Sequence, residues 1–197
     1  AVNGSDKLLG VVLNDDFRVV RQIGFGGYAK VYAAEQLSVG RRIVAIKVLH
    51  AMHGDISAAV AGLKREAAYL ALLRSYCFPR IFRTGATPEG LPYFVMELVS
   101  GRALDVAIKE SGPLSLEDAA PVLDSLMEGI AEMHSKEIVH RDIKAGNVIL
   151  EEDAGFGARV KMLDLGSAKS AHEADQPIAA ANQLSIGSPP YLAPETA

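Results

Sequence analysis

The sequence predicts an α+β protein in two lobes, a small antiparallel-sheet lobe with one helix followed by a mainly helical lobe. Three observations carry that expectation. Strand-like runs crowd the first fifty residues on both sides of the glycine-rich turn Gly24-Phe25-Gly26-Gly27. A helical stripe follows, with two further strand-like runs after it. Beyond residue 100 the apolar spacing becomes that of an amphipathic helix.

Taken in order, residues 1–15 mix Gly, Asn and Asp with short apolar runs and read as a leader segment with room for one strand. The small lobe is expected over 16–98. Arg18–Ile23 runs into the glycine turn, Lys30–Ala34 leaves it, and Arg42–Val48 forms a third strand. Val60, Leu63, Ala67, Leu70 and Leu73 recur at helical spacing, predicting a helix over Ala58–Leu73 with Glu66 beside the stripe. Strands near Arg80–Gly85 and Tyr93–Leu98 are joined by the turn-forming Thr87-Pro88-Glu89-Gly90. Val99-Ser100-Gly101 reads as a hinge into the second lobe, 99–197.

There Ser115 is placed to cap a helix, with Asp118 in the position a capping box usually gives to Glu or Gln. Leu116, Ala119, Leu123, Leu126, Ile130 and Met133 then share one face. Short strands are expected around Val148–Leu150 and Arg159–Leu163. The stretch 167–188 shows no periodicity and reads as a long loop. There is no internal repeat.

Composition narrows the function classes. With 197 residues, 49% hydrophobic and 22% charged, the chain has the balance of a soluble globular protein. A net charge of −4 supplies no electrostatic reason to expect nucleic acid or an anionic membrane as partner. Cys77 has no second cysteine to pair with and is expected to be a small buried side chain, which fits a reducing, cytoplasmic compartment. No apolar run approaches the roughly 18 residues that span a bilayer, and the first residues lack a signal-peptide pattern. A chain that begins with Ala1 is expected to be an excised piece.

The chemistry-bearing residues come in a fixed sequence. His140-Arg141-Asp142-Ile143-Lys144-Ala145-Gly146-Asn147 and then Asp164-Leu165-Gly166 supply two carboxylates, an amide and a lysine, suited to gripping a metal-bound triphosphate and orienting a hydroxyl. Upstream stand Gly24-Phe25-Gly26-Gly27-Tyr28-Ala29-Lys30-Val31, then Val44-Ala45-Ile46-Lys47, then Glu66; Ala193-Pro194-Glu195 closes the set. Alone, a glycine cluster between strands is usually a hairpin turn, and a lysine usually snorkels to solvent. Lys47 is flanked by Val44, Ala45, Ile46 and Val48, which disfavours that reading. Five motifs in order leave little room for chance.

In this order the motifs resemble those of the protein kinase family, from about Asp16 to Glu195. Lys144, two residues after Asp142, resembles the serine/threonine branch, and the Gly-Phe-Gly-Gly-Tyr turn is similar to bacterial-type members. The resemblance implies phosphoryl transfer from ATP to serine or threonine hydroxyls of a protein substrate, with Mg2+, in one pocket between the lobes. It assigns Asp142 as catalytic base or hydroxyl-orienting group and Lys144 as the partner of the transferring phosphoryl group. Asn147 and Asp164 would hold the metal. Lys47 would contact the α- and β-phosphates, paired with Glu66.

By the same resemblance, Ile23, Gly24, Gly26, Gly27, Val31, Ala45 and Ile149 would surround the nucleotide. Met96, Glu97 and Val99 would form the hinge, the backbone of Glu97 and Val99 bonding adenine. Val31, Ala45 and Ile149 also read as plain core residues. Arg141 would pair with a phosphate on the activation segment, for which Ser185, Ser170 and Ser167 are candidates. Ser188 reads as structural, and His140 as a ring packed against Leu165. Two residues depart from the family pattern: Ala29 replaces a third glycine, and Leu165 replaces phenylalanine.

The largest departure is that the sequence stops two residues after Ala193-Pro194-Glu195, where a protein kinase continues with further helices. Leaving half of the five large apolar residues of the 116–133 stripe uncovered would forfeit roughly 4–8 kcal/mol, against a usual net stability of about 5–15 kcal/mol. A missing carboxy-terminal portion or a dimer partner is therefore expected to cover that face. A non-catalytic nucleotide-binding or scaffolding module is the alternative function. A small-molecule kinase is disfavoured by Pro189-Pro190-Tyr191 with Ala193-Pro194-Glu195, which resembles a peptide-positioning segment.

Overall fold

The computed structural model describes residues 6–50, 56–151, 159–170 and 191. The chain divides into two compact units, Ala1–Ala67 with Arg80–Leu98 and Ala68–Pro79 with Val99–Ala197. The first unit is an antiparallel sheet and most of a helix, as the alternating apolar runs require. Its strands are β1 (Val12–Leu13), β2 (Phe17–Phe25), β3 (Ala29–Gln36), β4 (Arg42–Leu49), β5 (Ile81–Ala86) and β6 (Pro92–Glu97). They lie in the order β1-β2-β3-β4-β6-β5.

Side chains alternate across a strand, so one sheet face collects Phe17, Val19, Tyr32, Ala34, Val44, Ile46, Val48, Tyr93 and Val95 in a buried cluster. The leader takes part in covering this cluster. Leu8 and Val11 pack on it, and the Asp6 carboxylate accepts hydrogen bonds from Lys30 Nζ and Tyr32 Oη, each 2.8 Å long. The turn between β5 and β6 needs its glycine, since Gly90 sits at φ +82°. Helix α1 (Ile56–Leu72) and the residue after it bury Leu63, Glu66, Ala67, Leu70 and Leu73, the expected stripe with an acid inside it.

The second unit holds helices α2 (Leu104–Ser111) and α3 (Leu116–Ser135) and two small antiparallel sheets. One contains β7 (Gly101–Ala103), β9 (Val148–Glu151) and β10 (Val160–Met162) in the order β10-β9-β7. In the other, β8 (Ile138–Val139) pairs with β11 (Lys169–Ser170). That pairing corrects the reading of 167–188 as loop throughout: Lys169 and Ser170 belong to a ladder, and 171–188 lie outside the described residues. Gly101, the last residue of the expected hinge, opens β7, at φ +148° and against the Leu150 carbonyl, where a Cβ would not fit.

Helix α3 begins as expected. Ser115 Oγ accepts from the Asp118 N–H at 3.1 Å and donates to the Asp118 carboxylate at 2.7 Å, so the aspartate answers the capping hydroxyl rather than a backbone N–H. The buried face matches the predicted stripe at Met133 and departs from it at Leu116 and Leu123. Val122, Gly129 and Met133 are buried, whereas Leu116 and Leu123 are 91% and 58% exposed. The physical reason is Gly129: a Cβ there would come within 2.8 Å of Cys77 Cβ and Sγ, so the closest approach of this helix uses a residue with no side chain. Cys77 is buried, and burial pushes its thiol up to about 11, which makes it an inert packing group. No helix among the described residues is long and apolar enough to cross a membrane.

Candidate active site

In the sheet unit, register gathers the first group of residues. Lys47 of β4 stands opposite Val31 on β3 and Phe94 on β6, while Ala45 stands opposite Ala33 and Met96. Directly opposed residues share a sheet face, so Val31, Ala45, Lys47 and Met96 lie together, on the face away from Val44, Ile46 and Val48. Lys47 Nζ donates to both carboxylate oxygens of Glu66, at 2.7 and 2.8 Å. The two side chains are only 15% and 5% exposed. Glu66 occupies the buried stripe of α1 between Leu63 and Leu70, a place where a carboxylate is costly unless it is paired. Its position is explained by its partner.

The glycine turn joins β2 to β3 beside this pair. Gly24 opposes Val31, and a Cβ on it would approach the Val31 Cβ to 3.3 Å. The Gly26 N–H closes the turn on the Ala29 carbonyl at 2.9 Å, and a Cβ on Gly27 would meet nothing within 4 Å. Ile23 and Phe25 are exposed. One residue here carries no signal in the sequence. His50, just past β4, donates its backbone N–H to the Tyr28 carbonyl at 3.0 Å. Its Nε2 lies 2.9 Å from the Gly26 carbonyl, and its ring stacks on Phe25 with centroids 5.1 Å apart. A histidine after a strand is ordinary in sequence; only the turn folding back on it gives it significance.

In the second unit, the segment after β8 gathers the second group. Lys144 Nζ donates to Asp142 Oδ2 at 2.7 Å. Asn147, in the short 3-10 turn Ala145–Asn147, donates from Nδ2 to the same oxygen at 3.2 Å and to the Asp142 carbonyl at 2.9 Å. The Leu163 N–H bonds the Asn147 carbonyl at 2.7 Å, tying in the stretch that carries Asp164. Asp164 in turn accepts the Gly166 N–H on Oδ1 at 3.2 Å. Arg141 and Asp164 adopt left-handed backbone, φ +70° and +65°, a conformation costing of order 1–3 kcal/mol at each non-glycine residue.

His140 is the buried support of this segment. Its Nδ1 accepts the Asp142 N–H at 3.3 Å, which requires an unprotonated Nδ1. Burial depresses the ring below its ordinary pKa against the opposing pull of the Asp164 and Asp142 carboxylates, so the ring is neutral. Its Nε2 makes no hydrogen bond among the described residues. Leu165, its expected packing neighbour, is also buried.

The remaining predicted residues are distributed between the units. Glu97 ends β6, and its N–H goes to the Arg80 carbonyl at 2.8 Å. Val99 and Ile149 belong to the second unit, Ile149 in β9 opposite Ala103 and Lys161. Ser167 is exposed in a turn, whereas Ser170 is half-buried and paired with Ile138. Ser185 and Ser188 lie outside the described residues. Chemically, the sheet unit presents a cation fixed by a buried acid beside a glycine turn. The second unit presents a carboxylate held by an amine and an amide. Asn147 and Asp164 supply the oxygen donors that a hard cation such as Mg2+ takes.

Comparison with known proteins meets the same elements. The model of the protein kinase domain matches residues 17–197. Serine/threonine-protein kinase pkn2 of Myxococcus xanthus is 38% identical over 192 residues, which are 95% of this chain and 22% of that protein. The probable serine/threonine-protein kinase PknB of Lactococcus lactis is 34% identical, over 96% of this chain and 29% of its own length. For the serine/threonine-protein kinase PrkC of Bacillus subtilis the identity is 32%, over 96% and 28%. The chain thus spans between a fifth and a third of these curated relatives.

Proposed function

Because the chain belongs to the protein kinase family, we propose that it transfers the γ-phosphoryl group of ATP to serine or threonine hydroxyls of proteins. The observation that carries this reading is the Asp142 carboxylate, fixed by Lys144 at 2.7 Å and Asn147 at 3.2 Å on one oxygen. A carboxylate so held orients the substrate hydroxyl and accepts its proton, and Lys144 adds positive charge where the phosphoryl group passes. In the sheet unit, Lys47 contacts the α- and β-phosphates, with Glu66 fixing its direction rather than adding stability. Ile23, Gly24, Gly26, Gly27 and Val31 approach the nucleotide along the turn, and Ala45, Met96 and Ile149 contact its base. Since the Glu97 N–H is taken by Arg80, a bond from Glu97 to adenine uses its carbonyl; Val99 supplies the other hinge contact.

Mg2+ with ATP, when bound, neutralises the phosphate charge, and Asn147 and Asp164 are the residues that hold the metal. Protein substrates are the proposed partners, and further chain or a second copy covers Leu116 and Leu123 of α3. The lone buried thiol of Cys77 suits a cytoplasmic setting. Among the serines proposed for regulation, Ser167 and Ser185 are favoured over Ser170, whose backbone is in a ladder. The test is Mg2+-dependent incorporation of phosphate from ATP into a protein substrate by this chain and its Asp142→Asn variant. Incorporation lost only in the variant supports the reading. Nucleotide binding by both with no incorporation by either would favour the non-catalytic alternative, a scaffolding module.

A further inference from the structure

We infer that His50 is a positioning residue for the nucleotide, a clamp that sets the orientation of the glycine turn. The inference rests on the nucleotide reading above and adds to it a residue outside the motifs. Three contacts converge on this side chain and its backbone. The His50 N–H holds the Tyr28 carbonyl at 3.0 Å, the ring nitrogen Nε2 lies 2.9 Å from the Gly26 carbonyl, and the ring stacks on Phe25 at an interplanar angle of 19°. A carbonyl oxygen only accepts, so Nε2 carries the hydrogen and donates.

The consequence follows from peptide geometry. In a trans peptide the C=O and the next N–H point in opposite directions within one plane. With the Gly26 carbonyl turned toward His50, the Gly27 N–H is turned away from it. That N–H has no partner within the protein among the described residues, and Gly27 has no Cβ to shield it. An outward N–H on an uncovered backbone is the donor that a phosphate oxygen takes. Without the imidazole the turn keeps its Gly26-to-Ala29 closure and the backbone bond from His50 to Tyr28, but neither holds the Gly26 carbonyl, and the Gly26–Gly27 peptide can flip. His50 therefore acts through the turn and touches no substrate.

The experiment compares the whole chain with His50→Ala, His50→Gln and His50→Phe. Glutamine keeps a side-chain N–H donor, and phenylalanine keeps the stack on Phe25 without a donor. Two readouts are taken: amide hydrogen exchange at Gly26–Ala29 in nucleotide-free protein, and titration with Mg2+ and a fluorescent ATP analogue. Removing one net hydrogen bond is worth roughly a 2- to 13-fold change. We expect His50→Ala to speed exchange of the Gly26 amide and weaken the analogue by that factor. His50→Gln should recover most of the loss, and His50→Phe should not. In kinase assays the KM for ATP should rise more than kcat falls.

Variants that exchange and bind like the parent would overturn the clamp, as would a His50→Phe as good as His50→Gln. If the parent itself binds no analogue while exchange still responds to His50→Ala, the nucleotide reading fails and the clamp on the turn stands. A cooperative melt for each variant confirms that the turn, rather than the fold, has changed.

Discussion

The two groups of site residues are built by opposite means. In the sheet unit, Lys47 and Glu66 sit inside a regular strand and a regular helix, both nearly buried, and the register of β3, β4 and β6 determines what lies beside them. In the second unit, Asp142, Lys144, Asn147 and Asp164 sit on irregular backbone, two positions of which lie in the left-handed region at Arg141 and Asp164. A regular element needs packing to hold a charge in place. An irregular one needs side-chain bonds to its own backbone, which Asn147 and His140 provide. The difference teaches where perturbation should be felt: as lost stability in the first group, as lost rate in the second.

The largest expected effect falls on the second group. Asp142→Asn keeps the shape and the bonds to Lys144 and Asn147 while removing the charge. Turnover should drop by about 10²–10⁴, with an unchanged urea midpoint. A midpoint shift as large as that of a Lys47 variant would break the contrast at its root. Lys47→Ala is the counterpart. It removes both short contacts to the buried Glu66 carboxylate, and breaking a buried pair from one side costs about 3–5 kcal/mol even where the pair adds little net stability. Its midpoint should fall accordingly, along with affinity for Mg2+ and ATP. Retention of full stability in Lys47→Ala would mean that the strand group, too, is held by something other than the pair.

This contrast also governs what could be read from sequence. β2, β3, β4, β5, β6, α1 and α3 were legible because their apolar residues recur with the period of the element, and their ends fall within a few residues of expectation. α2 was not. Its Leu104, Val106 and Ile108 alternate by two, the signature of a strand, and Val106 and Ile108 are about 40% exposed, so little burial marks a helical face. The buried side of α3 was misjudged at Leu116 and Leu123 because its tightest contact belongs to Gly129, which no hydrophobic pattern reveals. Motifs disclosed Lys47, Glu66, Asp142, Lys144, Asn147 and Asp164. They disclosed neither the left-handed φ of Arg141, which no residue-type pattern marks, nor the pairing of Lys169–Ser170 with β8, which joins residues about thirty apart in sequence.

An intermediate effect sharpens the contrast through the backbone of the irregular group. At φ +70° a side chain at position 141 crowds the following carbonyl, whereas glycine adopts the conformation freely. Arg141→Gly should therefore be more stable than Arg141→Ala by about 1 kcal/mol, the reverse of the order seen in a helix. Chemical denaturation of the two variants measures the difference directly. If alanine is equal or better, the second group carries no stored strain, and its irregularity is only a matter of path.

The smallest effect is a slope with pH, and it tests whether the second group depends on a neutral histidine. His140 is buried and held below its ordinary value of 6.5, chiefly by burial, with Asp164 and Asp142 pulling the other way. In the unfolded chain the ring regains that ordinary value. As pH falls through about 6.5 the unfolded state takes up a proton that the folded state refuses, so unfolding becomes coupled to proton uptake and stability declines. The decline continues down to the lower folded value and then levels off. Protonation inside the fold would also place a hydrogen on Nδ1 and expel the Asp142 N–H from its 3.3 Å contact. The parent should therefore lose stability between neutral pH and the folded value of this ring, and His140→Phe, though weakened at every pH, should show a flatter profile there. A profile of identical slope in the two proteins would place the titrating group elsewhere and remove His140 from the support of Asp142.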